Sequence, residues 1–132
     1  MLVDKGKFLV TNGNYMRKLQ QNPHDCAVVR TIQYIGGKWK PIVLIRLIDG
    51  PVRFGKLTVQ MPDISRKILT QQLRELEEDR LIIRKEYQEK PPRVEYELSE
   101  RGKTLIPVLK AMFDWGVQID DLAKKQTWDP KF

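Results

Sequence analysis

Cys26 and His24 are the only thiol and the only imidazole in the chain. A structural zinc site needs about four such ligands, and a lone cysteine cannot close a disulfide within its own chain. No glycine-rich loop able to cradle a phosphate is present, and no nucleophile stands beside a base in a catalytic signature. These residues predict no enzyme, no metal and no cofactor. Hydrogen-bonding and ionic chemistry remain. At ~100° per residue, Arg66, Lys67, Thr70, Gln71 and Arg74 gather on one side of a helix, with Ser65 at its start, while Ile68, Leu69, Leu73 and Leu76 gather on the other. An arginine can give a guanine edge two parallel hydrogen bonds, and a glutamine can do the same for adenine. A merely solvated helix side is the plainer reading of the same charges.

The distribution of charge weighs on that choice. Formal charge totals +7, from 24 bases and 17 acids. Met1 to Gly37 holds five bases and two acids, Lys38 to Arg74 eight and two, and Glu75 to Phe132 eleven and thirteen. The middle of the chain therefore carries the positive field, which suits a polyanion such as nucleic acid or an anionic surface. With 132 residues, 41% hydrophobic and 31% charged, the chain suffices for one core and is too apolar to be wholly disordered. Its strongest apolar run, Ile42 to Ile48, is broken by Arg46 and is far short of the ~20 residues of a membrane span. The N-terminus lacks the apolar middle of a secretory signal, so the expected location is the cytoplasm, with no membrane partner.

The elements that must position the cationic face follow from hydrophobic period and punctuation. Residues 1–24 read as a partly ordered arm, and a domain over 25–116 follows, with 117–132 as a helical extension and tail. Val28, Val29, Ile32 and Ile35 recur at helical spacing and predict a first core helix stopped by Gly36-Gly37. Trp39 to Ile48 predicts a central helix with Pro41 in its first turn. Arg53 to Val59 is a short helix, Met61-Pro62-Asp63 a turn, and Ser65 the N-cap of the helix that carries the cations. Leu81 to Tyr87 and Val94 to Leu98 then alternate as two strands, and Pro91-Pro92 between them leaves Lys90 and Arg93 at a hairpin tip. Ser99 caps a last helical region carrying Leu105, Val108, Leu109, Met112, Phe113, Gly116, Ile119 and Leu122 on one side, with Pro107 kinking or dividing it. That stripe exceeds the needs of one small core.

Two short helices joined by a tight turn and followed by a hairpin make an α+β, mainly helical fold, a winged helix-turn-helix with a two-stranded wing and flanking helices that dimerise. Its second helix can enter a major groove of double-stranded DNA, where Ser65, Arg66, Lys67, Thr70, Gln71 and Arg74 meet bases and phosphates. Lys90 and Arg93 would touch the adjacent backbone, although an exposed turn explains them as well. The alternative is a winged-helix module that docks an acidic protein with the same face.

Several ordered motifs carry a resemblance. Gly36-Gly37-Lys38-Trp39, Gly50-Pro51-Val52-Arg53-Phe54, Ile64-Ser65 with Leu69 and Leu73, Leu76-Glu77, Pro91-Pro92-Arg93-Val94-Glu95-Tyr96 and Leu98-Ser99-Glu100-Arg101-Gly102 look like the HxlR-type winged helix regulators of bacteria. The resemblance spans Cys26 to Gly116. It implies a homodimeric DNA-binding transcription regulator, usually a repressor, with dimer contacts from the helices flanking the DNA-binding core. Asp79-Arg80 departs from the family, which often has a small residue and glycine there, and this departure bears on the turn before the first strand.

Cys26 has two readings. It can be a small packing group at the start of an apolar helix. Alternatively, the helix N-terminus and Arg30 favour its thiolate, with Asp25 opposing, which makes it a redox sensor. The resemblance adds weight to the second, since some HxlR-type regulators sense quinones, aldehydes or oxidants through a cysteine at this position. A small electrophile or oxidant is then the effector, and a C2 homodimer would place its two reading helices about 34 Å apart on an inverted-repeat operator.

Overall fold

Period-3.6 and period-2 segments fold much as their patterns require in a computed structural model, which describes residues 26–120 and 126–129. The arm over 1–24, Asp25 and Leu122 lie outside the described residues. The chain divides into two units between Gly36 and Gly37, and each is described by itself.

The first unit contains helix α1, Ala27–Ile35, with Cys26 at its N-cap and Gly36 at its C-cap. Cys26 and Ile35 are buried, but Val28 and Ile32 are 62% and 58% exposed. The expectation of a core helix is corrected on that face. Helical spacing dictates which residues share a side and says nothing about what covers it.

In the second unit, α2 (Trp39–Arg46) contributes Val43 and Leu44 to the core, and Pro41 lies within its first turn. It ends earlier than Ile48, in a tighter turn in which the Leu47 and Ile48 amides donate to the carbonyls of Leu44 and Ile45. Strand β1, Val52–Arg53, leads directly into α3, Phe54–Gln60, whose Leu57 is fully buried. Helix α4, Arg66–Glu78, begins where its cap predicts, with Ser65 Oγ accepting the Ile68 amide at 3.1 Å. Leu69, Leu73 and Leu76 are buried to 1% exposure or less. Lys40 of α2 reaches Glu75 of α4 at 3.2 Å, tying the two helices together.

Strands β2 (Ile82–Tyr87) and β3 (Arg93–Leu98) form the expected antiparallel hairpin. The sheet has a third strand that was not anticipated. Its order is β1-β3-β2, with Val52 opposite Tyr96 and Arg53 opposite Glu95. Two residues cannot display an alternation, so β1 is hidden from periodicity, and Arg53 precedes α3 rather than belonging to it. The final helical region is divided, with α5 at Glu100–Lys103 capped by Ser99 and α6 at Ile106–Ile119 carrying Pro107 in its first turn.

Arg80, at the departure from the family pattern, takes a left-handed backbone with φ of 61°. Such a conformation costs an L-residue roughly 1–2 kcal/mol, part of which glycine forfeits through its freer unfolded chain. Arg80→Gly is therefore expected to raise stability by about 0.5–1 kcal/mol, read from the midpoint of urea unfolding. Unchanged or reduced stability would mean that this turn stores no strain.

Candidate nucleic-acid interface

The leucines of α4 point inward and so force its polar residues outward. Ser65, Arg66, Lys67, Thr70, Gln71 and Arg74 are all exposed. With Phe54 of α3, the last five line one shallow groove. The Arg66 guanidinium carbon stands 5.4 Å from the Phe54 ring centroid, a cation–π contact that restrains the side chain while leaving its donors outward. Thr70 Oγ1 donates to the Arg66 carbonyl at 2.7 Å, which retains its lone pairs as acceptors and presents its methyl group. Ser65 Oγ is spent as an acceptor on the helix cap and keeps its proton to donate. Among the described residues, no ion pair involves Arg66, Lys67 or Arg74, so the face keeps its full positive charge.

The hairpin behaves differently. Lys85 pairs with Glu97 at 2.8 Å, Arg84 with Glu86 at 3.1 Å, and Arg93 with Glu89 at 3.2 Å and Glu95 at 3.5 Å. Hydrogen bonding to Glu97 raises the Lys85 ammonium above its ordinary pKa, and hydrogen bonds to Glu86 and then Tyr96 raise Arg84. Both cations thus have carboxylates beside them that offset their charge. Arg93 also packs its guanidinium 4.0 Å from the Tyr87 ring. Of the two hairpin cations singled out from sequence, Lys90 is exposed with no ion pair among the described residues, and Arg93 is half-buried in an intramolecular network.

Two cations escaped the sequence reading. Arg53 and Lys56 flank Phe54 and are exposed. They line a second groove together with Lys90, Arg93 and Tyr96. Both lie in the strongly basic segment Lys38 to Arg74, so their charge was visible, but their neighbourhood with the hairpin tip depends on the β1–β3 pairing. Cys26 is buried, 6% exposed, at the start of α1, and its carbonyl accepts the Arg30 amide at 3.0 Å.

Comparison with known proteins agrees with this architecture. The family model of the HxlR-like helix-turn-helix matches residues 34–124. The HTH-type transcriptional regulator YdeP of Bacillus subtilis is 49% identical over 100 residues, covering 76% of this chain and 78% of YdeP. The redox regulator HypR in its oxidised form is 45% identical, with a TM-score of 0.69 over 73% of this chain and 99% of HypR. Its reduced form is 42% identical, with a TM-score of 0.70 over 76% of this chain and all of that one. The chain belongs to the HxlR-like helix-turn-helix family of DNA-binding transcription regulators. No helix among the described residues is long and apolar enough to cross a membrane.

Proposed function

We propose that the chain acts in the cytoplasm as a homodimeric, sequence-specific transcriptional repressor that binds an inverted-repeat operator and catalyses no reaction. The observation that carries this reading is the α4 face, whose three cations are unneutralised above a row of buried leucines. Arg66 and Arg74 read base edges, Gln71 and Thr70 refine the choice, and Lys67 and Lys90 add phosphate contacts.

A second copy is favoured by helix α6. Val108, Met112, Trp115 and Ile119 are exposed at intervals of four, three and four residues, Trp115 to 63%. That is the spacing of a helix–helix seam, and such a stripe in water invites a partner helix. Phe113 is not part of this open stripe, since its ring meets Trp128 edge-on at 5.3 Å. The wild-type operator, selected from a random duplex pool, should be an inverted repeat bound by two copies. A monomer saturating a single half-site would contradict the dimer.

Cys26 is the proposed sensor. HypR, similar over nearly its whole length, is a redox regulator solved in oxidised and reduced forms. The burial of Cys26 favours a small oxidant over a bulky electrophile. A peroxide would take two electrons from the thiolate to give a sulfenic acid, its leaving hydroxide taking up a proton to become water, and the thiol of a second copy or of a small thiol would condense with it, expelling another water. The change then spreads to the half-site spacing and releases DNA. Peroxide is expected to weaken operator binding by about tenfold, a typical coupling between two sites, and to leave Cys26→Ser unaffected. A Cys26→Ser protein that responds like the wild type would refute the sensor.

A further inference from the structure

Two arginines of the second unit are restrained in different ways. Arg93 is held by Glu89 and Glu95, whose carboxylates face its guanidinium nitrogens and offset its charge. Arg66 makes no ion pair among the described residues, and its guanidinium carbon stands 5.4 Å from the centroid of the half-buried Phe54 ring. An aromatic face attracts a cation within about 6 Å and takes up none of its N–H groups. Arg66 is thereby restrained with its charge and its donors still available. The two members of this contact are anchored separately. Phe54 opens α3 directly after β1, where Val52 is buried opposite Tyr96 and Arg53 lies opposite Glu95, so the sheet places the ring. Arg66 opens α4 behind the Ser65 cap, with Leu69 buried one turn on, so the leucine row places its backbone. Arg74, about two turns further along, lines the same groove as Phe54 but makes no ring contact among the described residues.

Resting on the regulator reading, we propose that Phe54 is a specificity-determining positioning residue, whose ring holds the Arg66 guanidinium in place for one base pair of the operator. A free arginine side chain loses rotamer entropy when it binds, and a restrained one has already lost part of it. Restraint also keeps the arm from swinging to a neighbouring phosphate, which every sequence offers and which carries no sequence information. Removing the ring therefore costs base preference at the position that Arg66 reads, and it leaves the number of cations on the face unchanged. Phe54 acts through Arg66, and Arg74, without a ring, is the internal control.

The test uses the full chain and the operator that it selects from a random duplex pool. The base pair read by Arg66 is the one at which Arg66→Ala relaxes preference. Phe54→Leu should lower the preference there by about two- to fivefold, the worth of an exposed cation–π contact, with the preference at the Arg74 position and the salt slope unchanged. Phe54→Tyr should keep the wild-type preference, and Phe54→Leu should add nothing in an Arg66→Ala background. Placing one, two and three fluorines on the Phe54 ring alone drains electron density from its face with little change of shape, so preference at the Arg66 position should fall stepwise with their number. If Phe54→Leu does not fold, the fluorine series decides. A preference at the Arg66 position that survives these changes, or a loss spread equally over both arginine positions, overturns the role of Phe54 alone. A wild type that selects no sequence from the pool overturns the regulator reading as well.

Discussion

Gly102→Ala is expected to destabilise the protein by about 3 kcal/mol, the upper end of what overpacking a rigid site costs. Gly102 is buried in α5 against the turn that precedes β2. A β-carbon built on it would fall on the Leu81 carbonyl and come within 3.4 Å of Leu98 Cδ2. Neither the glycine nor the carbonyl can yield easily. Leu81 O accepts the Ser99 amide at 3.1 Å, Ser99 Oγ donates to the Arg80 carbonyl at 2.6 Å, and the Gly102 amide donates to that same Oγ at 2.9 Å. Ser99 thus joins the end of β3, the left-handed turn at Arg80 and the start of α5. Forcing Gly102 outward breaks that knot at the base of the hairpin, so thermal unfolding should fall by roughly 10 °C or more. Gly55, in α3, has nothing within 4 Å of a built β-carbon. Gly55→Ala should therefore gain about 0.5 kcal/mol from helix propensity. Similar stabilities for the two alanine variants would show that the close approach at Gly102 is not real.

Arg74→Ala and Arg66→Ala are each expected to weaken operator binding by about 10- to 100-fold, equivalent to ~1–3 kcal/mol per bidentate base contact. Both side chains are exposed and leave the buried leucines untouched, so stability should change by less than about 0.5 kcal/mol. They lie eight positions apart, about 12 Å along the helix axis, which spans roughly three to four base-pair steps. Each substitution should therefore relax preference at its own position. Lys67→Ala should behave otherwise, weakening all duplexes alike and lowering the salt slope by about 0.9. The contrast between the variants separates reading from adhesion.

Helix α4 was legible because three kinds of signal coincide there. Ser65 caps it, Leu69, Leu73 and Leu76 keep one face, and the cations keep the other. The hairpin was legible from alternation interrupted by Pro91-Pro92. What escaped depends on geometry that only the folded chain displays. Strand β1 is too short to show a period, and without it nothing places Arg53 and Lys56 beside Lys90. The ion pairs that occupy Arg93 include one with Glu95 and accompany a ring contact with Tyr87 across the hairpin, geometry that charge counting along the chain cannot supply. Exposure of Val28 and Ile32 was equally invisible, since an apolar helix face looks the same whether a core or a partner covers it. Arg80 lies between these cases. Its place in a motif that usually holds glycine pointed to the turn, and the backbone there is left-handed as glycine would allow.

Binding of the wild type and an Arg66→Ala, Arg74→Ala double variant to the selected operator and to a shuffled duplex of equal length, across a salt series, tests the role of α4 most directly. The wild type should prefer the operator by about 10³ or more, and the double variant should bind both duplexes with nearly equal, salt-dependent affinity. A double variant that keeps the wild-type preference would contradict the assignment of sequence reading to this helix.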